Sequence, residues 1–338
     1  MNFGFLTECY AREGSSHAQA YADAIAQADA AEAMGLDSIW MVEQHFRPWA
    51  SLLPSPMLLG SAIAARTKRV RIGLAVQVLP LCNPLRVAEE ANMLDQISGG
   101  RFDLGVGRSG ITKFYDGYNI PYAESRERFD EALEIILGVF TTDPFSFEGQ
   151  FHSYHDVTLS PNPVQSPHPP VWVATSTPES FPVLGKRGIP LLLWFQGNWT
   201  EEPLEAYRKA WHEAGHPGEP QVLVRFPAYV GETPDRGFSE PRVSTLHDFR
   251  RTLRENREAG QEERANQSQY WIDHYDEYVG SRAAYGSPEE VVERLREFKE
   301  RMGVTGFMLD LNFGGQIPQE LVLNSMRLLA EKVMPEFK

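Results

Sequence analysis

The chain has 338 residues, with 32 Lys and Arg against 46 Asp and Glu, a formal charge of −14. That is the wrong sign for a nucleic-acid binder, whose affinity rests on neutralising phosphates. Hydrophobic residues make up 42% and charged residues 23%, which is ordinary for a globular protein and excludes disorder as the main state.

No stretch approaches the roughly 18 consecutive apolar residues of a membrane span, and the first thirty residues lack a basic segment followed by an apolar one, so a cytoplasmic chain without membrane contact is expected. The two cysteines, Cys9 and Cys82, form no C-x-x-C pair. They read as buried thiols rather than as a disulfide scaffold or a metal site.

Short β-rich runs alternate with helical patterns along the whole chain. Phe3 to Leu6 opens the series, followed by a helix from Ala18 to Met34 that ends at Gly35, a residue suited to a left-handed cap. Ser38 to Val42 is the second strand, with a helix from Pro56 to Arg66 after it. Val70 to Val78 is a continuous apolar run, as expected of a strand covered on both faces. A helix from Pro84 to about Ile97 follows, then a strand from Arg101 to Val106. The next helix is displaced to Ser125 through Phe140. Residues 141–169 carry Asp143-Pro144, Gly149, Pro161, Pro163, Pro167 and Pro169, and are read as an inserted hairpin and loop.

Val171 to Ala174, Pro190 to Trp194 and Val222 to Val230 are further strands. Phe307 to Leu311 is the eighth, with a last helix from about Pro318 to Val333. Eight strands with helices between them favour a (β/α)8 TIM barrel over a doubly wound open sheet, as one domain spanning 1–338. Residues 232–286 stand out for their charge, notably Arg250, Arg251, Arg254 and Arg257. They read either as a solvated helical excursion or as a lid over the barrel mouth, since βα loops of this length are usually active-site covers. Trp271, Tyr275 and Tyr278, at helical spacing, could roof a pocket or form the packing face.

Three segments could carry chemistry. Glu43-Gln44-His45 runs off the end of the second strand, where barrel enzymes keep catalytic groups, and a histidine can exchange a proton near neutrality. The alternative for His45 is a hydrogen-bonded core residue. Gly105-x-Gly107-x-x-Gly110 follows a strand as a dinucleotide fingerprint does. Thr112 to Pro121 shows no helical stripe, however, so the helix such a fingerprint must open is missing. The glycines then imply a tight turn or close approach of a flat ligand, with Arg108 as a candidate anion contact. In the third segment, Thr175-Ser176-Thr177 ends a strand before a helix expected from Pro178, which would make either a phosphate cradle or ordinary capping. His152 and His155 lack metal-site spacing, His168 is flanked by prolines, and no serine-nucleophile elbow, P-loop or zincin motif is present.

Together these segments resemble the flavin-dependent, bacterial-luciferase-like monooxygenases. The resemblance is carried by Glu43-x-His45-Phe46 and by Leu94-Asp95-Gln96-x-Ser98-x-Gly100-Arg101-Phe102, and it covers most of the chain apart from 232–286. It implies an eightfold barrel that binds reduced FMN non-covalently at the C-terminal mouth, supplied by a separate flavin reductase. Dioxygen would be co-substrate, through a C4a-hydroperoxyflavin, for a small organic compound of aromatic or polyketide-like type.

The same resemblance gives Glu43 and His45 catalytic roles, and places a non-proline cis peptide at Ala75-Val76 beneath the isoalloxazine. Arg108 corresponds to a phosphate-side arginine, Thr175, Ser176 and Thr177 to the phosphate loop, and Trp194 to an aromatic beside the flavin. Gly107 stands where luciferase has a reactive cysteine, Thr175 where it has a glutamate, and Gln44 where it has a second histidine. The first of these departures argues against light emission and a long-chain aldehyde substrate. The resemblance leaves two rivals: a flavin- or deazaflavin-dependent hydride-transfer oxidoreductase, and a non-catalytic flavin-binding subunit. A homodimer is expected as the commonest symmetric state. Phe5, Cys9, Met41, Phe114, Trp194 and Phe195 could line a pocket or serve in the core.

Overall fold

A computed structural model of the chain describes residues 1–195 and 201–337. Eight parallel strands form its centre: β1 (Asn2–Thr7), β2 (Ser38–Met41), β3 (Arg71–Leu74), β4 (Phe102–Gly107), β5 (Val171–Ala174), β6 (Leu191–Trp194), β7 (Val222–Val230) and β8 (Gly306–Asp310). Each pairs with the next, and β8 pairs back onto β1 through Phe3 and Phe307, so the sheet closes into a ring. The expected barrel is present, with all eight strands where the apolar runs lie.

Period-two alternation sorts each strand's residues. Phe3, Phe5, Ile39, Met41, Ile72, Phe102, Val224 and Phe226 face outward into the main core beneath the helices. Leu6, Trp40, Trp172, Leu192, Leu223 and Met308 fill the interior. Two indoles need space there, and glycines on neighbouring strands leave it: a Cβ at Gly73 would lie 2.3 Å from the Trp40 ring. Trp40 and Trp172 meet edge to face at 5.8 Å. Below them Asp103 accepts from the Trp172 indole at 3.2 Å and pairs with Arg71 at 2.6 Å. The barrel is therefore solid at its base, as barrels of this size are.

Several elements differ from expectation. The run from Val70 to Val78 is broken at a cis Ala75-Val76 bond. Before the break β3 pairs with both β2 and β4, whereas beyond it Gln77–Val78 pairs with β4. A six-residue helix, Thr112–Gly117, occupies ground expected to be non-helical, and the helix after β5 is Ser180–Lys186 rather than one starting at Pro178. Two further helices carry signals that the reading above passed over. Pro288–Met302 starts with a capping box formed by Ser287 and Glu290, and Glu202–Glu213 starts with Pro and two acids in its first turn.

The insertion is a hairpin, Phe145–Glu148 against Ser153–Val157, as read. Its return loop is tied down by Asp95, which accepts from the backbone of Val164 at 2.7 Å and of Gln165 at 2.9 Å. Residues 232–286 fold into four helices, Pro234–Ser239, Arg242–Glu258, Glu262–Asp273 and Tyr275–Arg282, followed by a short strand, Ala284–Gly286, against β7. Tyr278 is buried against Phe249 and Phe313, and Tyr275 against Phe238, so they are the packing face of this segment.

Candidate active site at the barrel mouth

Glu43 and His45 leave the end of β2 as a buried pair, 4% and 6% exposed, with His45 Nε2 2.6 Å from Glu43 Oε1. The other carboxylate oxygen accepts from Gln77 Nε2 at 2.5 Å and from the Val78 backbone N–H at 2.9 Å. A buried carboxylate needs such donors to offset its lost hydration. With Oε2 filled by two N–H groups, Oε1 takes the proton on His45 Nε2, which leaves Nδ1 as the acceptor.

The Tyr118 hydroxyl lies 3.2 Å from Nδ1 and donates to it. Phe46 brings it there: its backbone turns through a left-handed φ of 55°, and its ring lies on Gly117, where a Cβ would be 2.2 Å away. Gly117 is thus the residue that allows the Thr112–Gly117 helix to dock beside His45. Phe114 closes the other side, edge-on to the imidazole at 5.4 Å.

The uppermost interior layer forms the floor of the mouth, and it has two halves. From β2 to β5 it is apolar and low: Val42, Ala75, Val76, Gly107 and Ala174. Gly107 lies so close to Val76 that a Cβ would stand 2.6 Å from its Cγ2, so any side chain here would rise into this shelf. The glycines of 105–110 therefore serve close packing within the barrel, and Gly105 is likewise closed off by the Leu74 carbonyl.

From β6 to β1 the floor is polar. Arg225 of β7 pairs with Glu8 at 2.5 Å and with Asp310 at 2.7 Å, and its guanidinium lies 4.8 Å from the Trp194 ring centre. Tyr10 donates to Asp310 at 3.0 Å. Burial, reinforced by Glu8, pushes the Asp310 carboxyl up to about 6 against the pull of Arg225. The sequence signal for this half is one charge in the nine-residue apolar run of β7, which belongs to no motif.

Val106 and Val173 are in register, so Arg108 and Thr175 leave adjacent strands at matching positions. Arg108 is held by the Ser125 hydroxyl at 3.0 Å and lies over Tyr122, while Tyr115 caps its carbonyl. Ser176 is exposed, and Thr175 and Thr177 are half-buried. Thr175 Oγ1 accepts from the Thr177 N–H at 3.2 Å, and the Thr177 carbonyl accepts from Ser180, so the hydroxyl run is a turn ahead of a seven-residue helix.

Of the other pocket candidates, Phe5, Met41, Cys9 and Phe195 belong to the outer core, whereas Phe114 and Trp194 face the mouth. Cys9 is buried and Cys82 half-buried. Both thiols are pushed up to about 12, chiefly by burial, with Asp23 and Glu43 adding respectively, so neither is a nucleophile near neutrality. His152 pairs with Glu131 and His155 with Glu148, and no group of metal-ligating side chains occurs among the described residues. A separate cavity of about 450 Å³ lies outside the ring, beside β1 and the first helix, and its lining includes neither His45 nor Glu43.

The helix Arg242–Glu258 crosses the polar half of the mouth. Glu255 pairs with Arg47 at 2.5 Å and accepts from Trp49, while Ser244 bonds the backbone of Phe313 and Gln316 beyond β8. No helix among the described residues is long and apolar enough to cross a membrane.

These residues form the mouth of an eight-stranded barrel, and the chain belongs to the luciferase-like monooxygenase family, whose model matches residues 1–306. The chain spans about half the length of the first curated relatives it matches. It is similar over nearly its full length to the oxygenase component of the flavin-dependent trigonelline monooxygenase of Acinetobacter baylyi: 25% identical over 331 residues, covering 94% of this chain and 90% of that one. Among solved structures, monooxygenase RslO1 from Streptomyces bottropensis superposes with a TM-score of 0.85 at 28% identity, covering all of both chains. The coenzyme F420-dependent tetrahydromethanopterin reductase of Methanopyrus kandleri superposes with a TM-score of 0.78 at 17% identity, covering 100% of this chain and 99% of that one, a likeness of fold alone.

Proposed function

We propose that this chain is the oxygenase component of a two-component flavin monooxygenase, taking reduced FMN from a separate flavin reductase and using dioxygen to oxidise a small organic substrate. The observation that carries the reading is the Tyr118–His45–Glu43 chain standing over an apolar shelf of Ala75, Val76, Gly107 and Ala174.

The residues present fit the coenzyme. The shelf is flat because Gly107 and Ala174 carry little or no side chain, as a planar ring system requires. Arg108 and the hydroxyls of Thr175, Ser176 and Thr177 form a donor set for a phosphate at the edge of the mouth. Trp194, 46% exposed, presents an aromatic face beside the shelf. When bound, reduced flavin supplies the activation of dioxygen, and the protein supplies position and exclusion of water. Glu43 fixes the tautomer of His45. His45 Nδ1 receives a proton relayed by Tyr118 or returns one, and such general acid–base help is worth about 10²–10⁴-fold. The helix Arg242–Glu258, latched through Glu255, acts as a lid that closes the polar side against solvent.

Replacing His45 with Ala removes the proton acceptor without touching the shelf. Anaerobic titration with reduced FMN should give nearly unchanged affinity, while product formation falls by about 10²-fold or more. Normal turnover by the variant would refute the role of His45. Turnover of substrate without dioxygen would favour the hydride-transfer reading, and FMN binding without oxygen consumption would favour a supporting subunit. We also infer a homodimer, because Leu58 on one helix and Met93 and Ile97 on its packed neighbour are exposed apolar residues that a second copy would cover.

A further inference from the structure

We propose that Arg225 is the residue that selects the substrate, through its Nε–H, for an uncharged oxygen, carbonyl or hydroxyl, on a flat ring. The inference rests on the reading of the mouth as the site of oxidation. Arg225 is 8% exposed, and its Nε is enclosed with no hydrogen-bond partner among the described residues. An orphaned guanidinium N–H in a buried layer calls for an acceptor.

The position is central to the half of the floor that the apolar shelf leaves free. Arg225 stands between Trp194 of β6 and Asp310 of β8, with Glu8 of β1 beyond and Asp248 of the covering helix facing Glu8 and Arg225. Trp194 holds the guanidinium plane by stacking and leaves part of its indole exposed, which suits a ring.

Charge decides which acceptor fits. Arg225 Nη2 already serves two carboxylates, and Arg251 serves Asp248, so three carboxylates stand against two guanidinium groups. A substrate carboxylate would add a fourth negative charge to a buried cluster that already has an excess, at a large desolvation cost. An ammonium group is drawn by that excess but carries only donors, so it would leave the Arg225 Nε–H unpaired. A neutral oxygen meets the free N–H without either penalty.

The test uses four ring probes of similar size with the full-length chain: acetophenone, benzoate, benzylammonium and ethylbenzene. Their binding is followed by ligand-detected NMR, with and without FMN. Acetophenone should bind at least about tenfold more tightly than the other three. Arg225→Lys keeps the charge that Glu8 and Asp310 require but lacks the Nε–H, and should abolish that preference while FMN binding persists; a lower melting temperature is expected, because an ammonium cannot reproduce the paired and stacked guanidinium. Should this variant fail to fold, Arg225→Met with Asp310→Asn removes one charge of each sign and serves the same purpose. Preference for benzoate or benzylammonium, no preference at all, or a preference surviving Arg225→Lys would overturn the proposal. Loss of FMN binding in the native chain would instead overturn the flavin reading, because probe selection is also measured without the coenzyme.

Discussion

Asp310 shows how a single buried group couples the site to pH. Its carboxyl is raised from the ordinary value of 3.8 to about 6, so the folded state holds a proton that the unfolded state has released between those values. A group raised on folding contributes stability that is complete below its unfolded pKa and is lost as pH rises through the folded one, with a slope approaching about 1.4 kcal/mol per pH unit. Asp310→Asn should remove that slope. Urea unfolding of native chain and variant at pH 4, 5, 6 and 7 should show the stability difference changing across this window and level above it, and a pH-independent difference would refute the assignment. At this scale the sequence was legible where position alone speaks. Glu43 and His45 were found because they leave a strand end. Tyr118 was not, because its approach depends on the left-handed turn at Phe46 and the bare face of Gly117, and Gln77 was not, because it lies past the change of pairing partner inside an apolar run; neither has a periodic signature.

Elements announced themselves when local chemistry and burial agreed. The helix His17–Met34 ends at Gly35 with φ 87°, as its cap residue implied, and Pro56–Arg66 falls on its expected bounds. The third strand misled because an apolar run carries no mark of a change in pairing partner, and the chain bonds through Ala75 to Met41 of β2 and through Val76 to Glu43 just beyond it, where it interrupts its own ladder. The inserted hairpin illustrates an element held by one side chain. Glu131 accepts from the backbone of Gln150, Phe151 and His152 and from His152 Nδ1, all between 2.6 and 3.1 Å. Burial raises the Glu131 carboxyl, but these bonds outweigh it and leave it below its ordinary value. Its stabilisation is therefore present above the unfolded pKa and lost as pH falls through the folded one. Glu131→Ala should cost about 2–3 kcal/mol locally, in line with charged hydrogen bonds, and hasten protease cleavage within 141–169 at neutral pH. Cleavage at the native rate would show that the hairpin is held by something else.

At the scale of the whole molecule, the barrel's outer core runs without interruption beneath the helices. The apolar residues left outside, Leu58 at 75% exposure with Met93 and Ile97, belong to two helices that pack side by side. If they meet a second copy, sedimentation of the native chain should give twice the monomer mass. A Leu58→Glu, Met93→Glu double variant should then sediment as a folded monomer, and a native monomer at micromolar concentration would dismiss the dimer. The fold class was legible because eight apolar runs survive any uncertainty in their ends. The buried face of the covering helices was not, because their charge resembles solvated surface until Tyr278 is seen against Phe249 and Phe313 and Tyr275 against Phe238.

Trp40 and Trp172, crossed in the middle of the ring over the Asp103–Arg71 pair, turn the barrel into a cup with one opening. Entry and departure must share that doorway. Under the proposed function, a coenzyme and a substrate lying side by side on the two halves of that floor would share one passage without sharing one seat.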